Sequence, residues 1–168
     1  MKLQSICLSN FQSFGPEPTK FSLEEMTYLI GPNGSGKTAV LQALCRLFGF
    51  DPALRRIRKS DFHVPHNEKV VPAERNFWIE IDFVFPELDD AAEKSTVAPN
   101  FGHMRLDEAD DLVRVRFRLD AKLADDGEID EALVYVLDVK EDGTILSTAQ
   151  VPRAERSEIH VHYLPARR

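Results

Sequence analysis

The chain has 168 residues, of which 43% are hydrophobic and 29% charged. That make-up suits one ordinary globular domain and excludes a low-complexity or fibrous chain. A formal net charge of −7 argues against a broad basic face for gripping nucleic acid, although a local basic patch is compatible with it. No apolar run is long enough for a membrane span or a signal peptide. The two cysteines, Cys7 and Cys45, have no metal-type spacing and read as buried reduced thiols of a cytoplasmic protein.

In chain order, Lys2 to Ser9 reads as a strand, and Asn10 to Gly15 as a turn carrying Phe11 and Phe14, closed by Pro16 and Pro18. Thr19 to Leu23 reads as a second short strand. The apolar, β-prone run Met26-Thr27-Tyr28-Leu29-Ile30 is expected to be a buried strand. It leads into Gly31-Pro32-Asn33-Gly34-Ser35-Gly36-Lys37-Thr38, which matches G-x-x-x-x-G-K-[ST] at every fixed position. After it, Val40, Leu41, Leu44, Leu47 and Phe48 recur at helical spacing, and Gly49 stands where a helix would stop.

The spacing of that loop encodes a task. Gly31, Gly34 and Gly36 allow a tight turn that aims backbone N–H groups inward as an anion nest. Lys37 would reach the β- and γ-phosphates of a nucleotide, Thr38 would complete the shell of a Mg²⁺ ion, and the following helix would add the positive end of its dipole. ATP and Mg²⁺ are therefore the expected cofactors.

The stretch from Asp51 to Glu74 is irregular and carries Arg55, Arg56, Arg58 and Lys59, then His63 and His66. A solvated basic face is the first reading of that cluster, and contact with nucleotide or DNA phosphates the second. Asn76 to Phe85 reads as a strand with Phe77, Ile79, Ile81 and Phe83 on one face and Trp78, Glu80 and Asp82 on the other. Pro86 to Met104 reads as loop with a short helix.

Leu112 to Leu119 alternates apolar residues with Arg114, Arg116 and Arg118, which suit acidic neighbours on a polar sheet face. Asp126-Gly127 and Asp142-Gly143 can make hairpin turns on either side of Ile129 to Val139, and a last strand is expected over Ile159 to Leu164. His160 and His162 share a strand face but lack a third ligand nearby in sequence. They read as exposed or hydrogen-bonded rather than metal-binding, as do His63 and His66. Asp89-Asp90 and Asp110-Asp111 read as solvated charge.

The opening Ile6 to Phe14, together with Tyr28 to Leu44 around the glycine loop, resembles the N-terminal part of an ABC-type ATPase head of SMC-like and RecF-like DNA-maintenance proteins. Lys59 to His63, Phe77 to Ile81, Phe85 to Leu88 and Val161 to Arg168 make the chain similar to the OLD (overcoming lysogenization defect) family of ATP-dependent endonucleases. In that family an ATPase precedes a Toprim nuclease domain. The resemblance implies an α/β P-loop NTPase fold of ABC ATPase-head type, with residues 1–168 as an N-terminal lobe carrying a mixed or antiparallel β-rich subdomain. It implies Ser13 near the phosphates, a second ATPase head as partner and DNA engaged through the full-length protein. Related ATPases often have Arg where Gln12 stands. A Walker B segment, a signature loop and a Toprim acidic cluster are not found in the sequence. Val134-Tyr135-Val136-Leu137-Asp138 comes nearest to Walker B, but Val139 follows where Glu belongs.

The chain is accordingly expected to be the N-terminal lobe of a longer protein. The alternatives are a small self-contained P-loop kinase and a non-catalytic P-loop interaction module.

Overall fold

A computed structural model describes residues 1–85, 101–106 and 113–164. The expectations for Pro86 to Leu88, Asp89-Asp90, Asp110-Asp111 and Pro165 to Arg168 lie outside these residues. Six strands form one sheet: β1 (Lys2–Ser9), β2 (Thr19–Ser22), β3 (Glu74–Val84), β4 (Arg114–Ala124), β5 (Ile129–Val139) and β6 (Ile145–Gln150). Their order is β2-β1-β3-β4-β5-β6, and each neighbouring pair is antiparallel. The last four strands follow chain order, as a meander whose turns Asp126-Gly127 and Asp142-Gly143 carry glycines at φ 86° and 82°.

Period-two alternation decides which face is covered. Ile6 and Leu8 of β1, Phe77, Ile79, Ile81 and Phe83 of β3, and Val115, Phe117 and Leu119 of β4 are all buried. Helix α1 (Lys37–Phe48) lies in the same core through Ala39, Val40, Ala43, Leu47 and Phe48. The Phe48 ring meets Phe117 edge-on, with centroids 5.2 Å apart. Leu41, expected on the apolar stripe, is exposed.

The opposite face carries ion pairs in register. Arg118 lies opposite Glu80 and Arg116 opposite Asp82 across β3 and β4. Their side chains pair at 2.5 Å and 2.6 Å. Burial works against the Arg118 cation, but Asp120 and Glu80 outweigh it, so its pKa is raised. The guanidinium also lies 4.5 Å from the Trp78 ring centre.

Two expected strands are absent. Met26 to Ile30 forms no strand, and Met26, Tyr28 and Ile30 are exposed. A strand that feeds a phosphate loop is normally buried between parallel neighbours. Every pairing in the sheet is antiparallel, and none of its strands lies beside this segment as a parallel neighbour. Ile159 to Leu164 likewise shrinks to one parallel bridge, Val161 to Gly49. A short helix, Arg153–Arg156, precedes it.

Candidate functional site

The glycine loop ends where α1 begins. Gly36 is the N-cap residue, at φ 88°, and no side chain caps the helix. The first N–H groups of α1 therefore remain available to an anion, with the positive end of the helix dipole behind them. Gly34 is also left-handed, at φ 84°. Gly31 is not; it serves close approach instead, since a Cβ there would lie 2.7 Å from Ser35 Oγ. Lys37 curls back over the loop and donates from Nζ to the Gly31 and Pro32 carbonyls, each at 2.7 Å. Those two bonds hold the ammonium at the loop, where it could exchange carbonyl oxygens for phosphate oxygens.

Gln12, Ser13 and the run Asn33 to Ala39 line a cleft of about 300 Å³ at this point. The structure thus places Ser13, Asn33, Gly34, Ser35, Gly36, Lys37 and Thr38 around one space, with Gly31 and Pro32 at its edge through Lys37. Thr38, in the first turn of α1, is exposed. Its hydroxyl is free to serve a Mg²⁺ ion held by a bound polyphosphate, and the donor set fits that role. The wall opposite the loop is the turn after β1. A Cβ on Gly36 would lie 2.7 Å from Phe14 Cζ and 3.1 Å from Ser13 Oγ.

That turn is strained and heavily fastened. Asn10 and Gln12 have φ of 54° and 51°, a left-handed conformation that few residues with side chains adopt. Phe11 is fully buried, with its ring 5.1 Å from that of Phe77. The Gln12 N–H donates to the Asp61 carbonyl at 2.8 Å, and the Gln12 carbonyl accepts from His63 Nδ1 at 2.7 Å. The Gln12 amide donates from Nε2 to Asp61 Oδ1 at 3.0 Å and to Gln42 Oε1 at 2.5 Å.

Asp61, fully buried, in turn accepts from Arg46 of α1 through both oxygens, at 2.7 Å and 3.1 Å. It also accepts from the Arg58 N–H at 2.8 Å. The remaining Arg46 nitrogen, Nη1, donates to the Leu54 carbonyl at 2.6 Å.

The sequence reading missed the Arg46–Asp61 pair. Its signal was nevertheless present: Arg46 falls at helical spacing from Ala39 and Ala43 on the buried stripe, and a cation there requires an anion. The other candidates stand apart from the cleft. Arg56, Arg58 and Lys59 are exposed and Arg55 is half-buried. His162 stacks on Phe50 with ring centres 4.9 Å apart, and His160 meets the same ring edge-on. Asp138, at the end of the Walker B-like run, is an exposed residue of β5.

A search among curated protein sequences gave no significant match. A solved structure described as concerning ATP-driven dimerization and DNA-stimulated activation of SMC ATPases is similar over 95% of this chain and 77% of that one, at 16% identity and TM-score 0.50. At that identity the likeness establishes the fold, a P-loop ATPase of SMC and ABC head type. An SMC head bound to the C-winged helix domain of ScpA shows 18% identity and TM-score 0.47, over 95% of this chain and 40% of that one. The chain thus spans well under two thirds of that second head. A family model for the AAA ATPase domain matches residues 1–133, and the chain belongs to that family.

Proposed function

We propose that residues 1–168 are the N-terminal lobe of an ATPase head that binds ATP–Mg²⁺ through Gly31 to Thr38. In this reading Lys37 and the amides from Gly34 to Thr38 hold the phosphates, Thr38 serves the metal, and Ser13 faces them from the opposite wall. The observation that carries the reading is the uncapped N-terminus of α1, preceded by left-handed Gly36 and covered by the Lys37 ammonium. When bound, Mg²⁺ would neutralise phosphate charge. The chain's own groups position and shield the anion.

No carboxylate is among the described residues lining the cleft. Without a general base at the phosphates, this lobe is expected to bind ATP with little turnover of its own. The exposed apolar segment Met26 to Ile30 supports the lobe reading, since a parallel strand from further protein would cover it. We extend the proposal to engagement of two heads by ATP, in keeping with the dimerization named for the SMC relative. The head would regulate DNA cleavage by a nuclease domain of the OLD type.

Calorimetry with ATP and Mg²⁺ tests the first step. The parent chain should bind, and Lys37→Ala should abolish binding. Phosphate release should stay at background in both. Robust turnover by the parent, lost in Lys37→Ala, would overturn the division of labour. ATP-dependent nicking of supercoiled plasmid by the product of the whole reading frame tests the nuclease link, and its absence with ATP binding intact would remove it.

A further inference from the structure

We propose that Asp61 and Arg46 are positioning residues for the nucleotide cleft, acting through Gln12; the inference rests on the phosphate-loop reading. Gln12 is a wall residue of the cleft and has an unfavourable backbone conformation, at φ 51°. A long side chain is kept in the left-handed region only where the surroundings over-determine it. Here both Gln12 backbone groups and its side-chain amide are hydrogen-bonded, and two of the partners belong to Asp61: its carbonyl oxygen and its Oδ1.

Asp61 is itself immobilised by the two-pronged Arg46 contact, which has fixed planar geometry. Arg46 sits on the helix whose first turn faces the phosphates. The buried pair therefore ties the two walls of the cleft together: α1 on one side and the Gln12-Ser13 turn on the other. Gln42, also on α1, adds a second tie directly to Gln12.

The test compares nucleotide affinity with thermal stability in the full chain, using ATPγS with Mg²⁺ as the probe. Asp61→Asn should weaken binding roughly tenfold, as loss of a supporting contact behind a ligand-binding group does. In a Gln12→Ala background the same change should have little further effect, because the group being positioned is gone. Ile81→Val, a core change away from the cleft, should lower Tm and leave affinity within about twofold.

If Asp61→Asn does not fold, Arg46→Lys decides. It keeps the charge and loses the fork, and affinity should fall at least about threefold. Affinity within twofold of the parent in whichever of these variants folds would overturn the inference, as would additive losses in the Gln12→Ala double variant. If the parent binds and Lys37→Ala does not, such a result removes the positioning role alone. If the parent itself fails to bind, both the site reading and this inference fall.

Discussion

Three glycines show how differently single residues bear on the cleft. At Gly36 two demands coincide: φ is 88°, and an added Cβ would meet Phe14 Cζ at 2.7 Å. Gly36→Ala should cost about 2–3 kcal/mol, from left-handed strain and displacement of the ring. It should also weaken ATP binding more than tenfold, because the loop amides would be re-aimed. Gly143 is left-handed at φ 82° with nothing within 4 Å, so Gly143→Ala should cost only about 1 kcal/mol and leave binding unchanged. Gly49 is the converse, with φ −52° but a Cβ position 2.7 Å from the Cys45 carbonyl oxygen. Its replacement by Ala should be destabilising through backbone crowding alone, by about 1–3 kcal/mol. Thermal melts with calorimetry on the three variants would check that ordering; equal losses of binding would contradict it.

At the scale of elements, α1 is finished at its far end by a segment more than a hundred residues away. A helix leaves its last four carbonyls without helical partners. Here the Cys45 carbonyl accepts from the Gly49 N–H at 2.9 Å and the Phe48 carbonyl from the Val161 N–H at 2.7 Å. Those of Leu47 and Arg46 accept from Arg156, at 2.9 Å and 2.8 Å. Burial lowers the pKa of the Arg156 guanidinium, with nearby Glu131 opposing that effect. Arg156→Met would leave two carbonyls unpaired and remove a cation from the negative end of the dipole. A loss of about 2–3 kcal/mol is expected by chemical denaturation, with Arg156→Lys restoring part of it. Since the 12-residue helix separates Arg156 from the cleft by roughly 18 Å, ATP affinity should change less than twofold. Unchanged stability in Arg156→Met would show that water replaces the guanidinium there.

The same elements show what was legible in the sequence. Alternation along β3 and β4 placed Phe77 to Phe83 and Val115 to Leu119 inward, and the structure agrees residue by residue. The Asp-Gly pairs marked both hairpin turns. The phosphate loop was legible because its task constrains spacing directly. By contrast, the strand expected over Met26 to Ile30 depends on which strands are available beside it, and that information is not local. The Arg156 cap was hidden for a similar reason, since nothing near Arg156 in sequence names α1 as its partner. The left-handed turn at Gln12 rests on a buried anion 49 residues away and carries no glycine to announce it.

For the molecule as a whole, the sheet's buried core contrasts with the segment that leads into the phosphate loop. Among the described residues, the chain's last backbone hydrogen bond to the sheet before the loop is from the Leu23 N–H to the Gln4 carbonyl, at 2.8 Å. Beyond it, Glu24 takes an exposed ion pair from Lys2 at 2.7 Å and Leu29 packs against the core, while the contacts of Glu24 with Thr27 and of Tyr28 with Met26 are local. Few long-range bonds and exposed apolar side chains mark a low-stability unit, whereas β1, β3 and β4 share the hydrophobic core. Chymotrypsin at low concentration should therefore cut first at Tyr28 or Leu29 in the nucleotide-free chain. ATP–Mg²⁺ should slow that cut severalfold, because phosphates gripped by Gly34 to Thr38 hold the loop end of the segment fixed. The protection should vanish in Lys37→Ala. First cleavage within β3 or β4, or protection that survives the loss of Lys37, would mean that the segment and the loop are not coupled in the way the free amides of α1 imply.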